Sequence, residues 1–152
     1  MIKFENVIDI HSPLEQVFAF VADFENIPKW NYYVTQVRQS SSGAPDVGAT
    51  YHQVRKVDAQ DFEITAYQPN RMIAVKTLPD SKPYFARMFT FEKTADGTRI
   101  TDIWELETGY NRIVEALGKG RVVAGVMENL GKLKQLLETG ETQLQDGRTI
   151  RR

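Results

Sequence analysis

The feature that most constrains this chain is a change of hydrophobic period at Gly109. Beyond it, apolar residues recur at helical spacing and predict one long amphipathic helix, with one face formed by Ile113, Leu117, Val123, Val126, Leu130, Leu133 and Leu137. Gly140 follows as a C-terminal stop signal. Because such a helix must cover a broad apolar surface, the rest of the chain is expected to supply a sheet.

The segment before Gly109 has the turn pattern of antiparallel strands. About six strand-like stretches rich in Val, Ile, Thr, Tyr and Phe follow Val34. Turn-forming segments separate them, at residues 40–48, 57–61, 68–70, 78–83 and 94–97. A further strand is predicted at the start of the chain, where one parity carries Ile2, Phe4, Ile8 and Ile10.

A helix and an aromatic loop are predicted between the first strand and the others. Ser12, Pro13 and Glu15 have the spacing of a capping box, with the serine as N-cap and the proline at the first helical position. The apolar residues that follow are Phe18, Phe20, Phe24, Ile27 and Trp30. The order of elements predicts an α+β fold, in which a curved antiparallel sheet of about seven strands wraps the C-terminal helix.

Composition excludes several classes of function. The 152 residues carry a formal charge of −1 and no cysteine, which argues against nucleic acid and anionic membranes as partners and against disulfides or thiolate metal sites. No apolar run reaches the roughly 18–20 residues that span a bilayer, and the polar start is not a secretion signal. We therefore expect a cytoplasmic protein with a single domain at residues 1–140 and a polar, flexible tail at 141–152.

Two charged residues interrupt apolar strand faces. Asp102 lies among Ile100, Trp104 and Leu106, and Arg87 lies on the apolar face of the preceding strand. Pairing the two faces across the turn at 94–97 brings Arg87 near Asp102. Such a pair could orient the polar end of an apolar ligand, or it could be an internal ion pair with no ligand.

The histidines are His11 and His52, and either could carry a proton. His11 precedes a helix start and is expected to be exposed. In the strand at 51–57, Tyr51 and Arg55 lie on one face and His52 on the other, and the alternation does not decide which face is inside. Inward Tyr51 and Arg55 would give a polar cavity wall, whereas inward His52 would give an acid/base group.

Glycines within the long helix have two interpretations. Each of Gly118, Gly120, Gly125 and Gly131 costs up to about 1 kcal/mol relative to alanine in a helix interior. Close packing against strands, or a kink, would explain them. Alternatively, small side chains leave room for a ligand.

The sequence resembles the START-like (SRPBCC, helix-grip) superfamily, and within it the polyketide cyclase/dehydrase and lipid-transport group. Four segments carry the resemblance: IDIHSPLEQVFAFVADFENIPKW at 8–30, YQPNRMIAV at 67–75, GTRITDIWELE at 97–107 and MENLGKLKQLLE at 127–138. The resemblance implies a helix-grip fold with one or two short helices after the first strand. It also implies a deep cavity between sheet and helix for an apolar ligand, and no universal catalytic residue.

The expected ligand-binding residues lie on the predicted inner faces and on the aromatic loop: Trp30, Tyr51, Arg55, Tyr67, Arg87, Phe89, Asp102, Trp104, Val123 and Met127. His52 and Asp102 are weak candidates for catalysis. No cofactor and no metal is expected, because the sequence has no metal-ligand spacing and no phosphate-binding loop.

Three functions remain open at this point. The first is a protein that binds or transports a hydrophobic small molecule, such as a lipid or polyketide. The second is a cyclase- or dehydratase-like enzyme that transfers protons with a histidine, tyrosine or aspartate. The third is a stress or assembly factor that acts through its surface. In each case a monomer or homodimer is expected.

Overall fold

The computed structural model describes residues 1–152 as an α+β protein. The main strands are β1 (Ile2–Ile10), β2 (Val34–Gln39), β3 (Thr50–Arg55), β4 (Ala59–Gln68), β5 (Met72–Thr77), β6 (Phe85–Lys93) and β7 (Thr98–Leu106). The helices are α1 (Leu14–Ala22), a short 3₁₀ helix (Phe24–Lys29) and α2 (Arg112–Thr139). The predicted helix-grip fold is confirmed.

The seven strands form one antiparallel sheet in the order β1-β7-β6-β5-β4-β3-β2. Strands β2 to β7 are sequential neighbours, and β1 pairs with β7 at one edge. The chain therefore crosses from one edge of the sheet to the other through α1 and the 3₁₀ helix. Irregular register at Val34/Gln36 and Ile64/Ala66 marks bulges, which increase the local bend of a sheet.

The alternation in β1 places its apolar residues in the core, as the sequence predicts. Ile2, Ile8 and Ile10 are buried, whereas Val7 on the opposite parity is exposed. The same alternation along β6 and β7 directs Phe85, Phe89, Phe91 and Ile100 into one core cluster. One face of the sheet thus faces the helices.

The predicted capping box of α1 is wrong. Pro13, not Ser12, occupies the N-cap position, and no side chain caps the helix. Ser12 is instead buried, and its carbonyl oxygen accepts a hydrogen bond from Thr98 Oγ1 at 2.9 Å. The serine therefore joins the end of β1 to the start of β7.

The two halves of α2 have different environments. Leu130, Leu133 and Leu137 in the C-terminal half belong to the core, and Gly140 ends the helix at φ +83° as predicted. The expectation that Ile113 and Leu117 belong to the same buried face is wrong, because they are 74% and 82% exposed. The first turns of α2 therefore direct their large apolar residues to solvent. No helix of the structure combines the length and the apolar composition needed to cross a bilayer.

Close packing does not explain the glycines of α2. A Cβ atom added at Gly118, Gly120, Gly125 or Gly131 would meet no neighbouring atom within 4 Å. Substitution at these positions is therefore sterically possible, and a helix interior would gain stability from a larger side chain. Gly125 alone among them lies on the cavity described below.

The expected flexible tail is ordered in the structure. Residues Glu141–Gln143 and Thr149–Arg151 form a two-stranded antiparallel hairpin, β8 and β9. Thr142 and Leu144 are buried, and Thr142 Oγ1 donates to Gln135 Oε1 of α2 at 2.7 Å. The sequence interpretation missed this hairpin because two buried side chains in a polar segment give no periodic signal.

Truncation of leucines in the two halves of α2 tests the difference between them. Leu133→Ala should lower the free energy of unfolding by about 2–5 kcal/mol, because Leu133 is fully buried. Leu117→Ala is the matched control and should change stability little, since Leu117 is exposed. Urea denaturation followed by circular dichroism measures both. Equal losses from the two variants would contradict this description of α2.

Candidate functional site

A cavity of about 320 Å³ lies between the inner face of the sheet and α2. Val122, Gly125, Val126 and Asn129 line it from the helix, one turn or less apart. More than half of all its lining residues are hydrophobic. These four residues lie between the exposed Leu117 near the start of α2 and the buried Leu130 and Leu133 of its C-terminal half.

Aromatic rings form the floor of the cavity. Phe62 and Phe85 from β4 and β6 meet edge to face, with ring centroids 5.8 Å apart. The Trp104 ring lies 5.8 Å from Phe85, and Phe89 extends the floor along β6. These side chains share the inner face because successive inward residues on one strand are two positions apart.

The buried pair Arg87–Asp102 lies at one end of this floor. Arg87 Nε and Nη2 donate to Asp102 Oδ1 and Oδ2 at 2.8 and 2.7 Å, and Trp104 Nε1 donates to Oδ2 at 3.0 Å. Asp102 is fully buried and Arg87 is 7% exposed. The guanidinium carbon is 4.3 Å from the ring centroids of both Phe89 and Trp104. The fork-shaped bonds and the two rings hold the guanidinium in one orientation.

Strand register explains why the pair forms. In the β6–β7 ladder Arg87 lies opposite Trp104, and Phe89 lies opposite Asp102, so the two charged residues are diagonal neighbours on the inner face. The predicted proximity of Arg87 and Asp102 is therefore correct. Arg87 also lines the cavity, whereas Asp102 lies beneath it.

A chain of amides lies on β3 and β4, near the other end of the floor. Gln53 Nε2 donates to Gln60 Oε1 at 3.0 Å, and Gln60 Nε2 donates to the carbonyl oxygen of Pro83 at 2.8 Å. Both glutamines are buried and line the cavity. Nearby, Arg55 makes a two-pronged ion pair with Asp58 at 2.7 and 2.6 Å. The charges and amides of this wall are thus largely satisfied within the protein.

The cavity is open to solvent. Three of its lining residues, Tyr33, Glu107 and Arg121, are exposed, and we call them the mouth. They come from the segment before β2, the end of β7 and the N-terminal half of α2. A small molecule could therefore enter without the sheet opening.

Four of the ten expected ligand-binding residues line the cavity: Arg55, Arg87, Phe89 and Trp104. Trp30 is instead a core residue 1% exposed, with its ring 5.6 Å from the Arg87 guanidinium and its indole nitrogen without a hydrogen-bond partner. Asp102 supports Arg87 from below. These two residues are thus adjacent to the cavity rather than part of its surface.

Four further expected residues lie away from the cavity surface. Tyr51 packs between Phe24 and Phe62, with centroid distances of 5.3 and 5.2 Å. The rings of Tyr67 and Phe18 meet edge to face, with their centroids 5.8 Å apart. Val123 and Met127 lie on other faces of α2, where the Val123 carbonyl accepts a bond from Asn6 and Met127 is 38% exposed. Of the helical stripe predicted from the sequence, Val126 lines the cavity, whereas Val123 does not.

The structure decides the open question about β3. Tyr51 and Gln53 point inward and are buried, and Arg55 lines the cavity. His52 lies on the outer face, where Nδ1 is 2.8 Å from Asp61 Oδ1. His52 therefore lies outside the cavity lining. His11 lies outside the cavity as well.

The expected ligand-binding residues did not include Gln53, Gln60 and Asn129, which line the cavity. The signal for Gln53 was its shared parity with Tyr51, but that signal becomes informative only when the inner face is known. Asn129 Oδ1 accepts a bond from Gln145 at 3.4 Å, so the missed hairpin segment also contacts a cavity residue. The structure has no group of three or more histidine, cysteine or acidic residues arranged to hold a metal.

A family model decides the relationship of the chain to known proteins. The model for polyketide cyclase / dehydrase and lipid transport matches residues 1–138. The chain belongs to this family. A comparison with curated proteins finds no significant match.

Solved structures share the fold of this family member at low sequence identity. DR_A0006 from Deinococcus radiodurans is 16% identical with a TM-score of 0.68, over 92% of this chain and 99% of that protein. The Aha1 dimer from Colwellia psychrerythraea is 19% identical with a TM-score of 0.65, over 92% and 98% of the two chains. The di-domain ARO/CYC StfQ from the steffimycin biosynthetic pathway is 15% identical with a TM-score of 0.65, over 90% of this chain and 50% of that one.

Removal of one partner from the buried pair tests its structural role. Asp102→Ala should lower the free energy of unfolding by about 3–5 kcal/mol, because it leaves the Arg87 charge buried without its carboxylate. Adding Arg87→Leu should restore part of that loss. Asp9→Ala is the control, since Asp9 pairs with Arg99 on the exposed face, and its effect should be small. Thermal and urea unfolding measure all three, and equal effects of Asp102→Ala and Asp9→Ala would refute the role.

The buried phenol of Tyr51 predicts a loss of stability in alkali. Burial raises the pKa of Tyr51 to about 12 from its ordinary value of 10.0. At pH values between these two pKa values, the unfolded chain releases the phenolic proton and the folded chain retains it. The free energy of unfolding therefore falls as pH rises. Tyr51→Phe should remove this contribution. Unfolding free energies of both proteins from pH 9 to 12 measure the effect, and parallel pH profiles would contradict it.

Proposed function

We propose that this protein binds a hydrophobic small molecule, such as a lipid or a polyketide, in the cavity between the sheet and α2. The observation that carries this proposal is an open cavity of about 320 Å³ with a predominantly hydrophobic lining. Cavities of this kind bury most of a ligand's surface while a few polar groups orient it. Membership of the family for polyketide cyclase / dehydrase and lipid transport supports the same function.

The electrostatics of the cavity favour a ligand without strong charge. Arg87 is neutralised by Asp102, and Arg55 is neutralised by Asp58. Both exposed charges of the mouth, Glu107 and Arg121, lie where solvent screens them. A charged ligand would lose its hydration in the interior without gaining an unpaired countercharge there.

Binding is better supported than proton transfer. Neither histidine contributes to the cavity lining. Both oxygens of Asp102 accept bonds from Arg87 or Trp104, and the carboxylate has no exposed surface. A general base must reach the proton that it removes, and Asp102 faces the protein rather than the cavity.

Filling the cavity from α2 tests this function. The neutral fluorescent probe N-phenyl-1-naphthylamine should bind the wild-type protein, and Gly125→Leu should weaken its binding at least about tenfold. The leucine occupies space that the probe needs, at a cost comparable to the 1.5–3 kcal/mol of one large apolar side chain. Fluorescence titration gives both dissociation constants.

Gly120→Leu provides a matched control on the same helix. Gly120 does not line the cavity, and a side chain there meets nothing within 4 Å. This variant should bind the probe as the wild type does. The proposal fails if the wild type does not bind the probe, or if the two leucine variants bind it equally.

A further inference from the structure

The amide chain Gln53–Gln60–Pro83 has a fixed direction. The carbonyl oxygen of Pro83 can only accept, so Gln60 must present Nε2 to it. Gln60 Oε1 then faces Gln53 and accepts from Gln53 Nε2. This network determines the orientation of both amides, because reversing either one would place two donors or two acceptors against each other.

The polar heavy atom of Gln53 that remains without a partner is its carbonyl oxygen, an acceptor, whereas Nε2 already donates one of its two N–H groups to Gln60. Gln53 Oε1 has no hydrogen-bond partner in the protein, and protein atoms do not fully enclose it. Gln53 itself is 7% exposed, and it lines the cavity. An unpaired carbonyl in a predominantly hydrophobic site favours a ligand that donates a hydrogen bond to it.

The opposite end of the cavity floor has the reverse polarity. Two nitrogens of Arg87 bind Asp102, and the third, Nη1, has no partner in the protein. Arg87 lines the cavity and is 7% exposed. Its neutralised guanidinium therefore offers a donor without a net charge.

Aromatic rings separate the two ends. On β4 the next inward residue after Gln60 is Phe62, and on β6 the inward residue before Arg87 is Phe85. Phe62 and Phe85 contact each other edge to face. The floor thus runs from the acceptor at Gln53, across two rings, to the donor at Arg87, and flat apolar rings suit its middle.

We infer that the ligand is an uncharged ring compound with a hydroxyl or N–H donor at one end, bound by Gln53, and a carbonyl acceptor at the other end, bound by Arg87. This inference rests on the proposed function and specifies its ligand class. It also assigns Gln60 a role: by fixing the amide of Gln53, Gln60 determines that the site selects a donor.

Two matched probes test the selection. 6-Hydroxy-2-naphthaldehyde has a donor at one end and a carbonyl at the other, and 6-methoxy-2-naphthaldehyde carries a methyl group in place of the hydroxyl proton. The wild type should bind the hydroxyl probe at least about tenfold more tightly, because the methoxy probe leaves Gln53 Oε1 unpaired. Displacement of N-phenyl-1-naphthylamine gives both affinities.

Two variants separate the roles of the glutamines. Gln53→Met removes the acceptor, so the two probes should bind within about twofold of each other. Gln60→Met frees the Gln53 amide to rotate and present its NH₂, so binding of the methoxy probe should strengthen and the preference should fall. Gln36→Met, at an exposed position of β2, should retain the wild-type preference. Circular dichroism and binding of N-phenyl-1-naphthylamine verify that each variant is folded.

The outcomes distinguish this inference from the proposed function. If the wild type does not bind N-phenyl-1-naphthylamine, the proposed function fails. If it binds that compound and both naphthaldehydes equally, the donor selection alone is overturned. A preference that persists in folded Gln53→Met also overturns it. In addition, the double variant Arg87→Met/Asp102→Leu should bind both naphthaldehydes more weakly than the wild type does, and by the same factor. Unchanged affinity would refute the assignment of Arg87 as the hydrogen-bond donor to the ligand.

Discussion

The buried ion pair between Arg87 and Asp102 constrains both the fold and the cavity. A charged pair with almost no solvent contact is tolerated only when both partners and their hydrogen bonds are present. This requirement fixes the register of β6 against β7, since a shift by one residue would send one partner to the outer face. The same pair holds the Trp104 ring through its indole nitrogen. The order of the cavity floor therefore depends on an interaction that also holds two strands in place.

The cavity results from the unequal packing of α2. Three leucines of the C-terminal half join the core, and the hairpin formed by residues 141–151 packs against the same end of the helix. Toward its N-terminus the helix presents glycine and valine to the cavity and directs Ile113 and Leu117 to solvent. Leucines at one end and small residues at the other thus give a structure that is packed at one end and hollow at the other.

Hydrogen bonding explains how the cavity wall can be specific as well as apolar. Most of its polar groups satisfy one another: Arg55 with Asp58, Arg87 with Asp102, and Gln60 with Pro83. Gln53 Oε1 and Arg87 Nη1 remain without a partner in the protein, and the hydrogen bonds of the neighbouring atoms set their polarity. Selectivity of this kind rests on the cost of leaving a buried polar atom unpaired rather than on the strength of any single bond.

The sequence determined the strands of the main sheet, the long C-terminal helix and the meeting of Arg87 with Asp102, because alternation along strands and helical spacing are local properties that tertiary contacts preserved. Tertiary structure alone decided the rest of the site. Whether His52 or Gln53 faced inward depended on which side of the sheet the helices cover. The alternation along the strand is the same for either side, so it does not predict which one is buried. The face of α2 that lines the cavity, and the burial of Thr142 and Leu144, likewise depended on contacts between segments distant in sequence. No local pattern records such contacts, because their free energy arises only when the segments meet.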